Sequence, residues 1–119
     1  MIKNIMKENS NQAPYSGWGK DLNEYRESNR PTKSWDEIKN EYKIGQTVEG
    51  IVVTKAPFGA WVDIGCGFDA LLEIIYIEDL TPEKYQKDDW MEVGTKIVAK
   101  VFHFRDDSKQ IYLKQKDIS

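Results

Sequence analysis

The 119-residue chain has little cysteine, little histidine and no long apolar run, and each of these absences excludes a class of protein or site. Its one cysteine, Cys66, forms no intrachain disulfide and supplies no thiolate cluster for zinc or an iron–sulfur group. Its one histidine, His103, has no second metal ligand or catalytic base at a recognisable spacing. We therefore expect no metal, no cofactor and no enzymatic activity, and we expect a reducing, cytoplasmic setting.

Continuous hydrophobic sequence is also missing. The chain has no stretch of about 18 apolar residues, which a membrane-spanning helix requires, and its first residues lack the apolar segment of a signal peptide. We therefore expect no membrane partner. The formal net charge is −3, so the chain also lacks the overall positive field that drives non-specific nucleic-acid binding. Any nucleic-acid site must be local.

The first third of the chain differs in pattern from the rest. Residues 1–33 are rich in Asn, Lys, Glu and Ser, contain Pro14 and show no sustained apolar period, which predicts a flexible N-terminal arm. Three aromatic residues make this arm unlike a plain linker: Tyr15, Trp18 and Tyr25. Docking of the arm onto the domain, the ribosome or another protein is therefore left open.

Residues 34–43 carry the signals of a short helix. Ser34 and Glu37 stand at the spacing of a capping box, in which each side chain bonds the other residue's backbone N–H. The apolar residues that follow share one helix face: Trp35, Ile38 and Tyr42. We predict a helix from about Trp35 to Tyr42.

From residue 44 to residue 119 the apolar period is that of β-strands. The predicted strands cover Thr47–Lys55, Ala60–Ile64, Phe68–Ile77, Lys96–Arg105 and Gln110–Lys116. Residues 71–75 fit a helix or a strand by period alone, and the preceding turn favours strand. Gly50 predicts a bend or bulge, and Thr81-Pro82 predicts a two-turn helix. Five short antiparallel strands with a helix between the third and fourth predict an all-β OB-type barrel.

Several segments then point to a family. In chain order they are Ile44–Gly50, Pro57–Gly65, Ala70–Ile74, Val93–Gly94 and Gln110–Lys114. Together, over about residues 44–116, they resemble the S1 RNA-binding domain of ribosomal and RNA-processing proteins. The resemblance implies an OB barrel that binds single-stranded RNA on two aromatic residues, here Phe58 and Trp61. An outward aromatic ring offers an unstacked base about 1–3 kcal/mol of stacking energy, largely independent of base identity.

Basic and aromatic residues of the last two strands complete the candidate site. The predicted RNA-binding residues are Phe58, Trp61, Arg105, Lys109, Tyr112 and Lys114. This prediction requires the Trp61 ring to lie open to solvent.

Two residues depart from the family pattern. Glu73 stands where members often carry His, and Arg105 stands where Asp is common. The carboxylate repels phosphate and the guanidinium attracts it, so RNA affinity is expected to be altered. The sequence thus predicts a non-catalytic RNA-binding module in translation or RNA metabolism. The alternative is a protein-interaction module on the same scaffold, for example on the ribosome, with weak or lost RNA affinity.

Overall fold

A computed structural model of the protein describes residues 30–118, which form a short helix followed by a closed five-strand barrel. In chain order the elements are helix α1 (Trp35–Glu41), strands β1 (Thr47–Ala56), β2 (Gly59–Asp63) and β3 (Asp69–Glu73), a 3-10 turn (Ile74–Tyr76), helix α2 (Pro82–Gln86), and strands β4 (Lys96–Arg105) and β5 (Gln110–Lys114). The predicted arm, with its three aromatic residues, lies outside the described residues except for its last four positions. Neither helix in residues 30–118 is long and apolar enough to cross a bilayer.

Helix α1 begins where the sequence predicts. The Ser34 hydroxyl accepts a hydrogen bond from the Glu37 backbone N–H at 3.1 Å, and the Glu37 carboxylate accepts one from the Ser34 N–H at 2.8 Å, so the capping box is confirmed. Trp35 and Ile38 are buried in the barrel core. The Trp35 ring packs edge-on against Phe68 at a centroid distance of 5.2 Å. The helix is therefore part of the core.

The strands close in the order β1-β2-β3-β5-β4. Four pairings are antiparallel, as predicted, but β3 and β5 run parallel. Parallel neighbours need a long crossover, and the segment from the 3-10 turn through α2 and β4 supplies it. The OB-type barrel is confirmed, with one parallel pair that the expectation of antiparallel strands missed.

The core follows the alternation of the strands. Ala60 and Val62 of β2 point into the barrel, as do Ile111 and Leu113 of β5, and all four side chains are fully buried. The residues between them point to the outer face. Trp61 lies there and belongs to a separate small cluster, outside the main core.

Two local predictions are wrong. Of the bend or bulge predicted at Gly50, the bulge is wrong, because the β1–β2 register shifts between Val52 and Thr54. Glycine is needed at position 50 because a Cβ atom there would lie 2.4 Å from Cγ1 of Val62. The third strand also ends earlier than predicted. Its last pair with β2 joins Glu73 to Gly59, and beyond this pair the chain turns into the 3-10 segment.

Candidate nucleic-acid interface

The registers of four strands place one residue from each side by side on the outer face. Trp61 of β2 pairs with Leu71 of β3, Leu71 with Tyr112 of β5, and Tyr112 with His103 of β4. We call these four residues the outer row. The row runs across β2, β3, β5 and β4, and the face formed by strands 2 and 3 is the one on which OB-folds bind oligonucleotides.

Trp61 is covered by its neighbours. Its side chain is only 6% exposed and packs against Leu71 and the half-buried Tyr112. The prediction that its ring lies open to solvent is therefore wrong. The reason is local packing, because Leu71 and Tyr112 are large residues on adjacent strands and close over the indole. No described residue accepts a hydrogen bond from Nε1 of Trp61.

Phe58 presents the exposed ring of this face. It is 44% exposed and stands edge-on to Trp61, with the centroids 6.2 Å apart and the planes at 88°. Its backbone carbonyl accepts a hydrogen bond from the Ile74 N–H at 3.0 Å, which holds the β1–β2 turn against the end of β3. Gly59 permits this approach, since a Cβ atom there would lie 2.5 Å from the Leu72 carbonyl oxygen. The turn therefore sets the position of the ring.

Arg105 joins the outer row through its tyrosine. One guanidinium nitrogen, Nη1, donates to the Tyr112 hydroxyl at 3.3 Å, and Nε donates to a carboxylate oxygen of Asp107 at 3.0 Å. The hydrogen bond to Tyr112, followed by the negative charge of Asp107, raises the pKa of the Arg105 guanidinium. Arg105 is therefore a fixed positive charge beside the row.

Lys114 follows Tyr112 by two residues in β5 and lies on the side of Tyr112 opposite to Arg105. Its ammonium group is 5.7 Å from the ring centroid of Phe102, and that ring packs edge-on against Tyr112 at 6.2 Å. Lys114 also forms an ion pair with Asp117 at 2.5 Å. The hydrogen bond from Lys114 lowers the pKa of the Asp117 carboxyl.

Lys109 lies in the turn between β4 and β5, where it is exposed and has a φ of 54°. Among residues 30–118, no hydrogen bond, ion pair or ring contact joins Lys109 to another candidate residue. The structure thus brings Phe58, Trp61, Tyr112 and Arg105 into one connected group, extends that group through Phe102 to Lys114, and leaves Lys109 at its margin.

Comparison with known proteins identifies the family. The family model described as S1 RNA binding domain matches residues 41–116. The chain belongs to this family. The small ribosomal subunit protein bS1 of Chlamydia trachomatis is 31% identical to this S1 domain over 84 residues, which is 70% of the chain and 14% of the ribosomal protein. The chain therefore spans a small part of that relative.

An enzyme and a solved structure are also similar to the S1 domain. The polyribonucleotide nucleotidyltransferase of Deinococcus radiodurans is 35% identical over 72 residues, covering 60% of the chain and 9% of the enzyme. The S1 family itself is non-catalytic. The solution structure of GSP13 from Bacillus subtilis has a TM-score of 0.52 and 17% identity, covering 66% of this chain and 65% of that one, and it supports the fold alone.

Sequence reasoning missed three residues of the candidate interface: Leu71, Phe102 and His103. The His103 ring stands edge-on to Tyr112 at 5.6 Å, although the chain has Glu73 where S1 domains often carry His. Its place in the row depends on a register shift between Val101 and His103. Simple alternation along β4 does not reveal such a shift, and no other signal in the sequence marks it.

The described part of the S1 domain has no group of three or more His, Cys, Asp or Glu side chains that could hold a metal ion. Burial raises the pKa of the Cys66 thiol, so the neutral form is favoured. A neutral, partly buried thiol is a small apolar group, and its chemistry adds nothing to the interface.

Proposed function

We propose that this S1 domain is a non-catalytic, cytoplasmic module that binds single-stranded RNA on its outer row, in translation or RNA metabolism. The observation that carries the proposal is the half-exposed Phe58 ring beside Trp61 and Tyr112, with basic side chains on both sides of Tyr112. Membership of the S1 family and similarity to a ribosomal protein support the same function.

Base stacking begins on Phe58 in this proposal, because its ring is the exposed one. The edge-on contact between Phe58 and Trp61 is worth about 0.5–1.5 kcal/mol, whereas a stacked base contributes about 1–3 kcal/mol. A base that stacks on the exposed part of the Phe58 ring leaves this contact in place, so the gain from stacking is not offset by its loss.

The sugar–phosphate backbone follows β4 and β5 rather than β3. Arg105 and Lys114 lie along β4 and β5, whereas Asp69 and Glu73 begin and end β3. Phosphates are attracted to the first pair and repelled by the second. Because stacking accepts every base, we expect weak sequence preference and an affinity that falls with salt by about 0.7 log unit per phosphate contact for each log unit of salt.

Titration of the full chain with fluorescently labelled homopolymers of about ten nucleotides, within the range of an OB-fold site, tests the proposal. Phe58→Ala should weaken binding by roughly 5- to 100-fold, the loss of one stacked base, and Tyr112→Ala should act in the same direction. Val98→Ala is the matched control, because Val98 is an exposed apolar residue of β4 outside the row. Absence of binding by the intact protein at low salt would refute the proposal.

A second candidate function has one observation in its favour. Ile51 of β1 and Val98 of β4 are exposed apolar residues on adjacent strands, a feature of protein-interaction surfaces. We propose a protein-interaction role, with the ribosome or another protein as partner and the N-terminal arm as a further contact, as the alternative. A pull-down from extract with and without nuclease separates the two functions, because partners bound through RNA are lost on digestion.

A further inference from the structure

Both basic side chains that flank Tyr112 are occupied by acids close to them in the chain. Arg105 pairs with Asp107 at 3.0 Å, two residues later, and Lys114 pairs with Asp117 at 2.5 Å, three residues later. Asp107 lies in the β4–β5 turn and Asp117 follows β5, and both are largely exposed. The two cations proposed to hold phosphate are therefore already neutralised within the chain.

These two acids differ from Asp106 and Asp88, two other ion-paired acids of the domain. Asp106 also accepts a hydrogen bond from the Trp35 indole at 2.8 Å, and Asp88 pairs with the buried Lys55, so both of these contribute to packing. Within residues 30–118, Asp107 and Asp117 accept side-chain hydrogen bonds from Arg105 and Lys114 alone. Their carboxylates contact the candidate interface and hold no other part of the fold.

We propose that Asp107 and Asp117 are tethered competitors that lower the RNA affinity of this S1 domain. The inference rests on the proposed function and adds a regulation of the same site. Each carboxylate occupies the cation that a phosphate would contact, and its attachment a few residues away gives it a high effective concentration there. An incoming phosphate must displace the carboxylate and also tolerate its negative charge nearby.

The size of the effect follows from the exposure of both pairs. Exposed ion pairs contribute about 0–1 kcal/mol, so displacing one weakens binding modestly. We expect Asp107→Asn and Asp117→Asn each to raise RNA affinity about threefold, and the double variant about tenfold. Each freed cation should also steepen the salt dependence by about 0.7 log unit per log unit of salt.

Fluorescence titration of the full chain with a labelled oligouridylate over a range of salt concentrations tests this proposal. The matched control is Asp89→Asn, which makes the same change in net charge at an exposed acid in the loop before β4. We expect the control to bind like the wild type. If Asp89→Asn raises affinity as much as Asp107→Asn or Asp117→Asn, the acids act through net charge and tethered competition is refuted.

A second comparison isolates the Arg105 pair. Asp107→Asn should raise affinity in the wild-type background and have no effect in the Arg105→Ala background, because the cation that it frees is then absent. Equal gains in the two backgrounds would overturn the inference. If the wild type binds RNA and no Asn variant binds more tightly, the inference fails and the proposed function stands. If neither the wild type nor any variant binds, the proposed function itself fails.

Discussion

The α1 end of the barrel and its outer face each bury a tryptophan, and they satisfy it differently. Trp35 is 8% exposed, packs against Phe68 and Phe104, and donates its indole N–H to Asp106. Trp61 is 6% exposed but has no acceptor for its indole N–H among residues 30–118. The two rings are equally hidden, so burial alone does not separate a structural tryptophan from a candidate binding residue.

The surroundings of the two rings do separate them. All the groups around Trp35 have partners within the domain. Its ring packs against Phe68, its indole N–H donates to Asp106, and Asp106 also pairs with Lys39. The Trp61 site is covered on one side by a half-exposed Phe58 ring. A half-exposed covering ring also presents part of its surface to a ligand. We therefore expect Trp35 to act in stability and the outer row to be the candidate for ligand contact.

The largest expected effect is a loss of stability on substitution of Trp35. Trp35→Ala removes a core ring and should lower the free energy of unfolding by about 3–5 kcal/mol. Urea denaturation followed by circular dichroism measures this loss. RNA affinity of the folded variant should stay close to that of the wild type, because Trp35 contacts no residue of the outer row. A variant that keeps full stability would break the assignment of α1 to the core.

A matched pair of Phe substitutions isolates the hydrogen bond. Both Trp35→Phe and Trp61→Phe keep an aromatic ring and remove the indole N–H, but only Trp35 loses a hydrogen bond among the described contacts. Trp35→Phe should therefore cost about 1 kcal/mol more stability than Trp61→Phe, the usual net contribution of one protein hydrogen bond whose acceptor is exposed. Equal losses in parallel urea denaturation experiments would show that the two indoles do not differ in this way.

The smallest expected effect is a loss of stability at low pH. The Lys39 ammonium group, followed by the Trp35 indole, donates to Asp106 and lowers the pKa of its carboxyl. A carboxyl whose folded-state pKa lies below its unfolded value stabilises the fold above about pH 4, and this contribution is lost as pH falls through the folded-state pKa. The stability difference between the wild type and Asp106→Asn should therefore be present at neutral pH and shrink below about pH 4. A difference that is constant with pH, measured by urea denaturation across the range, would contradict this.

Most of the fold could be predicted from the sequence because its signals are local. Ser34 and Glu37 mark the start of α1, alternation marks the strands, and Gly65 and Gly67 adopt positive φ in the β2–β3 turn. The parallel pairing of β3 with β5 could not be predicted from local sequence patterns, because the relative direction of two strands depends on the path of the chain between them. The extra 3-10 turn was not predicted because the third strand ends opposite the first residue of its partner strand, Gly59.

The site was less predictable because it depends on register and packing between strands. Phe58 is exposed, as a stacking residue requires, but whether Trp61 is covered depends on Leu71 and Tyr112, which come from two other strands. The His103 position depends on an irregularity in β4. The ion pairs of Arg105 and Lys114 are the exception, since acids two and three residues away are visible in the chain.

The parallel pair between β3 and β5 also has a consequence for synthesis. Until residues 110–114 have left the ribosome, β3 has a neighbour on one side only, and its other edge exposes unpaired backbone groups. The edge of β3 that pairs with β5 therefore stays unpaired until β5 has been synthesised. A chain truncated before β5 should be prone to association through that edge.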